Sequence, residues 1–227
     1  MAGRIDFDDY SERYDELMTE RLGFFGKDEG YFARYKIELV RRLVQGRPER
    51  ILEYGCGIGR NVRHLTRCFP DSEVYGCDIS EKSIDAARRK NPGAVYFIAG
   101  ENPPATSFDL VLVANVLHHV IPRERRNVVS GQVSLLSGGG HIVVFEHNPY
   151  NPLTRRIVNT CPFDRDAILL KPAESRRLLT EAGASIEKSG YCLFFPGFMS
   201  GIRRLERALT WLPIGGQYYV EAKKQLP

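Results

Sequence analysis

In the run ILEYGCGIGRN, Glu53, Gly55, Gly57 and Gly59 stand at alternate positions, and their types and spacing point to ligand chemistry. Glycines placed this way let the backbone turn sharply and approach a ligand, while the helix that follows offers unpaired N–H groups. A carboxylate at Glu53, just before the first glycine, would repel a phosphate and suits an ammonium group or a hydroxyl. Asp78 follows roughly 20 residues later, where a carboxylate can accept both hydroxyls of a ribose. A dinucleotide loop needs glycine or alanine three positions after the second glycine, and Arg60 stands there. The ligand read from these residues is a nucleoside with a cationic or zwitterionic part.

A second group gathers further along: His118, His119, Glu146 and His147. A neutral imidazole titrates near operating pH, which suits a general base. His119 is the first choice for that role or for orienting a substrate, and His147 the second; the bland alternative has one of His118 and His119 packing structurally while the other shapes the pocket. Glu146 could orient an imidazole, bind substrate, or bond structurally to its loop. The pair His118-His119 lacks the spacing of zinc ligands on one helix face, so no metal is expected.

These residues need a frame. Short apolar runs at 50–54, 73–77, 94–99, 108–115, 141–146, 191–195 and 217–222 alternate with helix-length amphipathic segments, which implies a wound α/β sheet. Helices are expected after the first run, from a Ser80 cap through Arg89, from Glu124 to Leu136 with Gly138-Gly139-Gly140 as the stop, from Lys171 to Ala182, and around Arg203 to Trp211. The first 45 residues read as a helical cap, with Tyr10 and Tyr14 on one helix and Tyr31 and Tyr35 on another, ahead of a main domain over 46–227. Residues 147–170, rich in Asn, Pro and Arg, read as an irregular functional connection.

The 227 residues are 43% hydrophobic, enough for one large core, and the net charge of +4 is scattered without a tract, which argues against nucleic acid as a partner. Five cysteines without CxxC spacing suggest a reducing compartment. No apolar stretch is long enough to span a bilayer, and the acidic N-terminus lacks a signal-like core, so a cytoplasmic protein is expected. Ile202, Leu205, Leu209 and Leu212 share one side of the C-terminal segment. That stripe leaves peripheral lipid contact open beside ordinary docking on the sheet.

The stretches ILEYGCGIG, YGCDIS, FIAGENPPATSFDLVLVANVLHHV and LLSGGGHIVVFEH, in this order, resemble the class I S-adenosylmethionine-dependent methyltransferase family. The resemblance implies a Rossmann-like, mostly parallel sheet of seven strands with the seventh antiparallel and helices on both faces. It implies S-adenosylmethionine as cofactor, with Gly55, Cys56, Gly57 and Gly59 along it, Glu53 orienting that loop, Asp78 on the ribose and Ile79 against adenine. Gly100 and Glu101 fall where the family has Gly-Asp at the adenine edge; Asn115 and Val116 fall at the methionine moiety, and Tyr10 and Tyr14 would close over the cofactor or else form a plain packing face. Tyr10, Asn148, Tyr150 and Arg155 are the candidate substrate contacts, Arg155 by pairing with an anion or else as loop surface.

Asn148-Pro149-Tyr150 is close to a signature of amino-group methylation. That signature follows the fourth strand and carries a second proline, whereas this tripeptide follows the fifth, so EHNPYNP reads as the entry to a substrate-side loop. The expected activity is methyl transfer to an oxygen, hydroxyl or carboxylate, of a small molecule, by a monomer or homodimer. A non-catalytic S-adenosylmethionine-binding sensor or scaffold subunit is the alternative, and Arg60 and Glu53 disfavour a nicotinamide-dependent oxidoreductase.

Overall fold

The computed structural model describes residues 30–44, 46–101 and 103–226. Its strands are β1 (Arg50–Tyr54), β2 (Glu73–Asp78), β3 (Val95–Ile98), β4 (Phe108–Ala114), β5 (Leu136–His147), β6 (Ala184–Cys192) and β7 (Gln217–Lys224). They form one seven-stranded sheet in the order β3-β2-β1-β4-β5-β7-β6. The first five run parallel, and β7 lies antiparallel between β5 and β6. The helices are α1 (Tyr31–Leu43), α2 (Val62–Cys68), α3 (Glu81–Lys90), α4 (Arg125–Ser134), α5 (Pro152–Thr160), α6 (Pro172–Glu181) and α7 (Glu206–Leu209). Among the described residues, no helix is long and apolar enough to cross a membrane.

The central strands read as unbroken Ile, Leu and Val because both faces of the sheet are covered. Side chains alternate along each strand. Ile51, Leu110 and Val143 therefore pack on one face with Ile37, Val40, Leu65 and Ile84. Leu52, Val111 and Val144 pack on the other with Val129, Val133, Leu178 and Leu179. Each such enclosed side chain contributes about 1.5–3 kcal/mol. The strand order reverses between β1 and β4, which opens a crevice at their carboxyl ends.

Local signals set several boundaries. The Ser80 hydroxyl accepts a hydrogen bond from Ser83 N to start α3, and Arg88, Arg89 and Lys90 close it. Residues 147–170 are more ordered than the sequence suggests: Asn151 caps α5 through Leu153 N and Thr154 N, and Pro152 takes the first turn. The triple glycine is no helix stop, because α4 ends at Ser134 and the glycines lie inside β5. A Cβ at Gly140 would stand 2.9 Å from the Phe108 carbonyl oxygen, beside a register shift in the β4–β5 ladder. The sixth strand ends at Cys192, because Leu193 takes a left-handed φ of 59° that breaks the extended run. The segment expected as one helix from Arg203 is a 3-10 stretch, Gly197–Leu205, followed by the single turn α7.

Of the expected cap, α1 is described; Tyr10 and Tyr14 lie outside the described residues. Tyr31 Oη donates to the Phe195 carbonyl at 2.9 Å, and Tyr35 Oη donates to the Glu206 carboxylate. The Arg203 guanidinium lies 5.0 and 4.8 Å from the centroids of the same two rings. These contacts fasten α1 to the chain that follows β6.

Candidate active site

A cavity of about 640 Å³ opens where β1, β2, β4 and β5 end. On its β1–β2 side, Gly55, Gly57 and Gly59 have φ of 74°, 50° and 80°. A Cβ at Gly55 would stand 2.4 Å from Val116 Cγ2, and one at Gly59 2.6 Å from Asn91 Nδ2, so packing demands glycine at both; at Gly57 nothing lies within 4 Å. That middle position leaves space for a ligand to approach the backbone. Asp78 pins the loop, its Oδ2 accepting from Gly57 N at 2.8 Å and its Oδ1 from Ser80 N at 3.0 Å.

Glu53 is fully buried in this wall. Its Oε1 accepts from Asn61 Nδ2 at 2.5 Å, while Oε2 has no hydrogen-bond partner. Burial raises its pKa to about 8, against the lowering effects of the Asn61 bond and the Lys36 charge. Lys36, on α1, is 6% exposed and lines the same cavity. Burial lowers its pKa, with Glu53 opposing. The sequence reading passed over Lys36, although it sits on the buried face of α1 with Ala33, Ile37 and Val40. An orphan carboxylate oxygen, a buried ammonium, a glycine cradle and a loop carboxylate fit an aminoacyl nucleoside: Glu53 for its ammonium, Lys36 for its carboxylate, Asp78 for its ribose. Cys56 and Ile79 line this wall, while Gly100 and the exposed Glu101 stand outside it.

Opposite stands a wall made from distant segments. Asn115 leaves β4 at a φ of 60°, a backbone state that Asn tolerates better than most residues, and its Oδ1 accepts from Gln217 Nε2 at 3.0 Å. Together with Val116 it lines the cavity. The 3-10 turn Leu117–His119 follows and brings both histidines to the wall. Glu146, fully buried on β5, accepts from Val116 N at 3.1 Å and Leu117 N at 2.7 Å through Oε1, and its Oε2 lies 2.5 Å from His118 Nδ1. It holds the turn from behind and does not itself line the cavity. His147 does, its ring centroid 5.0 Å from that of His118.

Asp164, in the 3-10 turn Pro162–Asp164, returns to this cluster. Its Oδ1 lies 3.5 Å from His118 Nε2 and 3.4 Å from His119 Nε2. Burial disfavours charge on His118, but the Glu146 and Asp164 carboxylates outweigh it and raise its pKa to about 9. Burial, helped by the His118 charge, holds His119 and His147 down to about 4. Burial would raise Glu146 and Asp164, yet interactions with His118 keep both low.

Arg125 binds the pieces together. Its Nε donates to the Leu117 and Val120 carbonyls at 3.1 and 3.0 Å, Nη1 reaches Glu174 at 2.8 Å, and Nη2 donates to the Ile168 carbonyl. Ile168 N in turn donates to the His118 carbonyl at 2.8 Å. The sequence reading singled out neither Asp164 nor Arg125, since each takes its meaning from a contact far along the chain.

Three expected substrate contacts lie away from the cavity. Asn148 is buried, its Nδ2 donating to the Pro213 and Gly215 carbonyls at 3.0 and 2.8 Å and its Oδ1 accepting from Tyr150 N at 3.0 Å. Its amide is consumed in fastening the loop that precedes β7. Tyr150 and Arg155 are exposed and outside the wall. Much of the remaining lining is apolar, with Phe32, Val128, Leu153, Ile157, Phe195 and Ile214.

Residues 52–142 match a family model described as a methyltransferase domain. The chain is 28% identical over 163 residues to trans-aconitate 2-methyltransferase of Mycobacterium ulcerans (strain Agy99), covering 66% of this chain and 61% of that one. It thus spans less than two thirds of that relative's length. A SAM-dependent methyltransferase from Archaeoglobus fulgidus superposes with a TM-score of 0.70 at 18% identity, covering 93% of this chain and 100% of that one. An O-methyltransferase family protein from Burkholderia thailandensis gives 0.68 at 14% identity, covering 95% of this chain and 60% of the other. Both structures share the fold. The matched domain runs from β1 into β5 and holds the glycine cradle between β1 and α2, so this part of the chain is similar to methyltransferase domains in sequence as the whole sheet is in fold.

Proposed function

We propose that this chain transfers the methyl group of S-adenosylmethionine to an oxygen, hydroxyl or carboxylate, of a small acceptor with a largely apolar body. One observation carries the reading: a single cavity joins the Glu53–Gly57–Asp78 wall to the His118–His119–His147 wall, and apolar side chains fill the rest. When bound, the sulfonium supplies a methyl group already activated for transfer. The chain's task is then to orient the two partners, exclude water and manage one proton.

Asp78 and the Gly57 loop hold the ribose end, while Glu53 and Lys36 face the amino-acid end. Across the cavity, the apolar wall takes the acceptor's body, and the imidazoles of His119 and His147 orient its oxygen or take its proton. A carboxylate acceptor needs no proton removed, and the relatives named for trans-aconitate agree with that chemistry. A small tricarboxylate fits this cavity poorly, because Lys36 and Arg60 are its Lys and Arg side chains among the described residues and Lys36 faces the cofactor's amino-acid end. The acceptor suited to it is less charged and more apolar.

Titration calorimetry with S-adenosylmethionine, followed by assay of S-adenosylhomocysteine formed from phenols, enols and monocarboxylic acids, tests the proposal. Acceptor-dependent product supports it, and cofactor binding without product from any acceptor would favour a binding role without catalysis. A folded protein that binds no S-adenosylmethionine would overturn it.

A further inference from the structure

His118, His119 and Asp164 each offer one ligand atom within 4.8 Å of the others. The two histidine Nε2 atoms stand 3.5 and 3.4 Å from the same Asp164 oxygen. Around a four-coordinate ion with bonds of about 2.0–2.2 Å, neighbouring ligand atoms lie about 3.3–3.5 Å apart. The two separations from the Asp164 oxygen are thus already those of neighbouring ligands.

A second observation concerns His118 Nδ1, which is 2.5 Å from Glu146, itself fixed by two backbone N–H donors. A ring that gives its Nδ1 proton to a carboxylate turns its Nε2 toward whatever lies beyond, where a cation can displace the Nε2 proton, and metal-bound imidazoles are oriented in this way. Beyond it lies a carboxylate oxygen. Electron pairs converging from two imidazoles and a carboxylate need protons or a cation between them.

We propose that His118, His119 and Asp164 bind one divalent first-row transition-metal cation at the cavity wall, with its open positions toward the acceptor. Two nitrogens and one oxygen suit Zn²⁺, Mn²⁺, Fe²⁺ or Co²⁺ better than the all-oxygen cations. The adjacent histidines need no shared helix face, because a 3-10 turn carries them and Asp164 arrives from beyond α5. This inference rests on the methyl-transfer reading for its chemistry and on geometry alone for the site.

A cation here binds the acceptor oxygen and acidifies its proton, which passes to the imidazole of His147 in the same wall. The oxyanion's electron pair forms the new C–O bond. The methyl–sulfur bond breaks, its pair returns to sulfur as a neutral thioether, and the cation is unchanged.

The test uses the full chain, stripped with chelator and titrated with Zn²⁺ by calorimetry and with Co²⁺ by visible absorption. One equivalent should bind with a Kd in the micromolar range or below, and Co²⁺ should develop ligand-field bands. Asp164→Asn and His119→Gln should each weaken binding by at least about 100-fold, and Glu146→Gln by about 10–100-fold. Their Tm and S-adenosylmethionine affinity, measured alongside, certify the fold. Absence of cation binding in protein that still binds S-adenosylmethionine would overturn the site and leave a protonated His118 between two carboxylates in its place. Cation binding indifferent to Asp164→Asn would also overturn it. Failure to bind S-adenosylmethionine would instead strike the methyl-transfer reading, while the cation titration would still decide the site.

Discussion

The two walls of the cavity are built in opposite ways. The wall at β1 and β2 is mostly backbone: glycines with positive φ, a carboxylate that pins their loop, and partners close in sequence, such as Asn61 for Glu53. The wall at β4 and β5 is side chain on side chain, assembled from residues 117–119, 146–147, 164 and 168 with Arg125 beneath. A ligand shared by a family can be met by local backbone geometry. An acceptor particular to one protein calls for side chains gathered from a distance.

The largest expected effect separates the walls at once. Asp78→Ala removes the acceptor for Gly57 N and Ser80 N as well as the proposed ribose contact. Hydrogen bonds to a charged group contribute about 1.5–3 kcal/mol each. S-adenosylmethionine affinity should therefore fall by about 100-fold or more by calorimetry, while Asp164→Asn leaves it unchanged. Equal losses in both variants would mean that the walls are one unit.

Arg125→Met comes next. It leaves three carbonyls without their donor and Glu174, whose side chain is 30% exposed, without its ion-pair partner, and hydrogen bonds to a charged group contribute about 1.5–3 kcal/mol each. Tm should drop by about 10 °C. If the clamp serves the acceptor wall alone, acceptor KM will rise while the Kd for S-adenosylmethionine stays within about threefold, and parallel rises in both would blur the distinction.

The same contrast explains what the sequence disclosed. Strands β1, β2 and β4, the Ser80 cap and the glycine cradle were readable because each depends on neighbours within a few residues. Lys36 was half-legible, a charge on the apolar stripe of α1. Asp164 and Arg125 were not, since an Asp in a polar stretch and an Arg opening a helix look like surface until tertiary contacts bury them. Asn148 misled in the other direction: placed beside His147, it resembled a substrate contact, yet its amide is spent on two carbonyls before β7. The end of the sixth strand also escaped, because its apolar residues continue past the left-handed Leu193.

Glu53 offers a finer test on the cofactor wall. Its folded-state pKa, raised by burial to about 8 from an ordinary 4.5, means the folded chain holds a proton that the unfolded chain releases. Its contribution to stability is full below about pH 4.5 and is lost as pH rises through about 8. Glu53→Gln should flatten that slope and leave the unliganded protein more stable than wild type at pH 8, by up to a few kcal/mol. Cofactor affinity should nevertheless weaken, because the amide no longer offers a charge to the ammonium. Denaturant midpoints from pH 5 to 8 give the first quantity. Calorimetry in buffers of differing ionisation enthalpy gives the second, with proton release on binding to wild type and none to the variant.

The smallest effect is expected at Arg155. On α5, Leu153, Thr154 and Ile157 line the cavity, and Thr154 Oγ1 donates to the Gly216 carbonyl at 3.0 Å, while Arg155 and Arg156 point to solvent. A helix that buries one stripe leaves the opposite face to water. Arg155→Ala should therefore change stability by less than about 0.5 kcal/mol and kcat/KM by less than about twofold. Ile157→Ala, two residues on but inside the wall, should raise acceptor KM several-fold with little change in Kd for S-adenosylmethionine. A tenfold loss of kcat/KM in Arg155→Ala would show that the acceptor reaches past the cavity rim onto the outer face of α5. An anionic group on the acceptor, paired with guanidinium at the surface, would then have to join the apolar body that the wall implies.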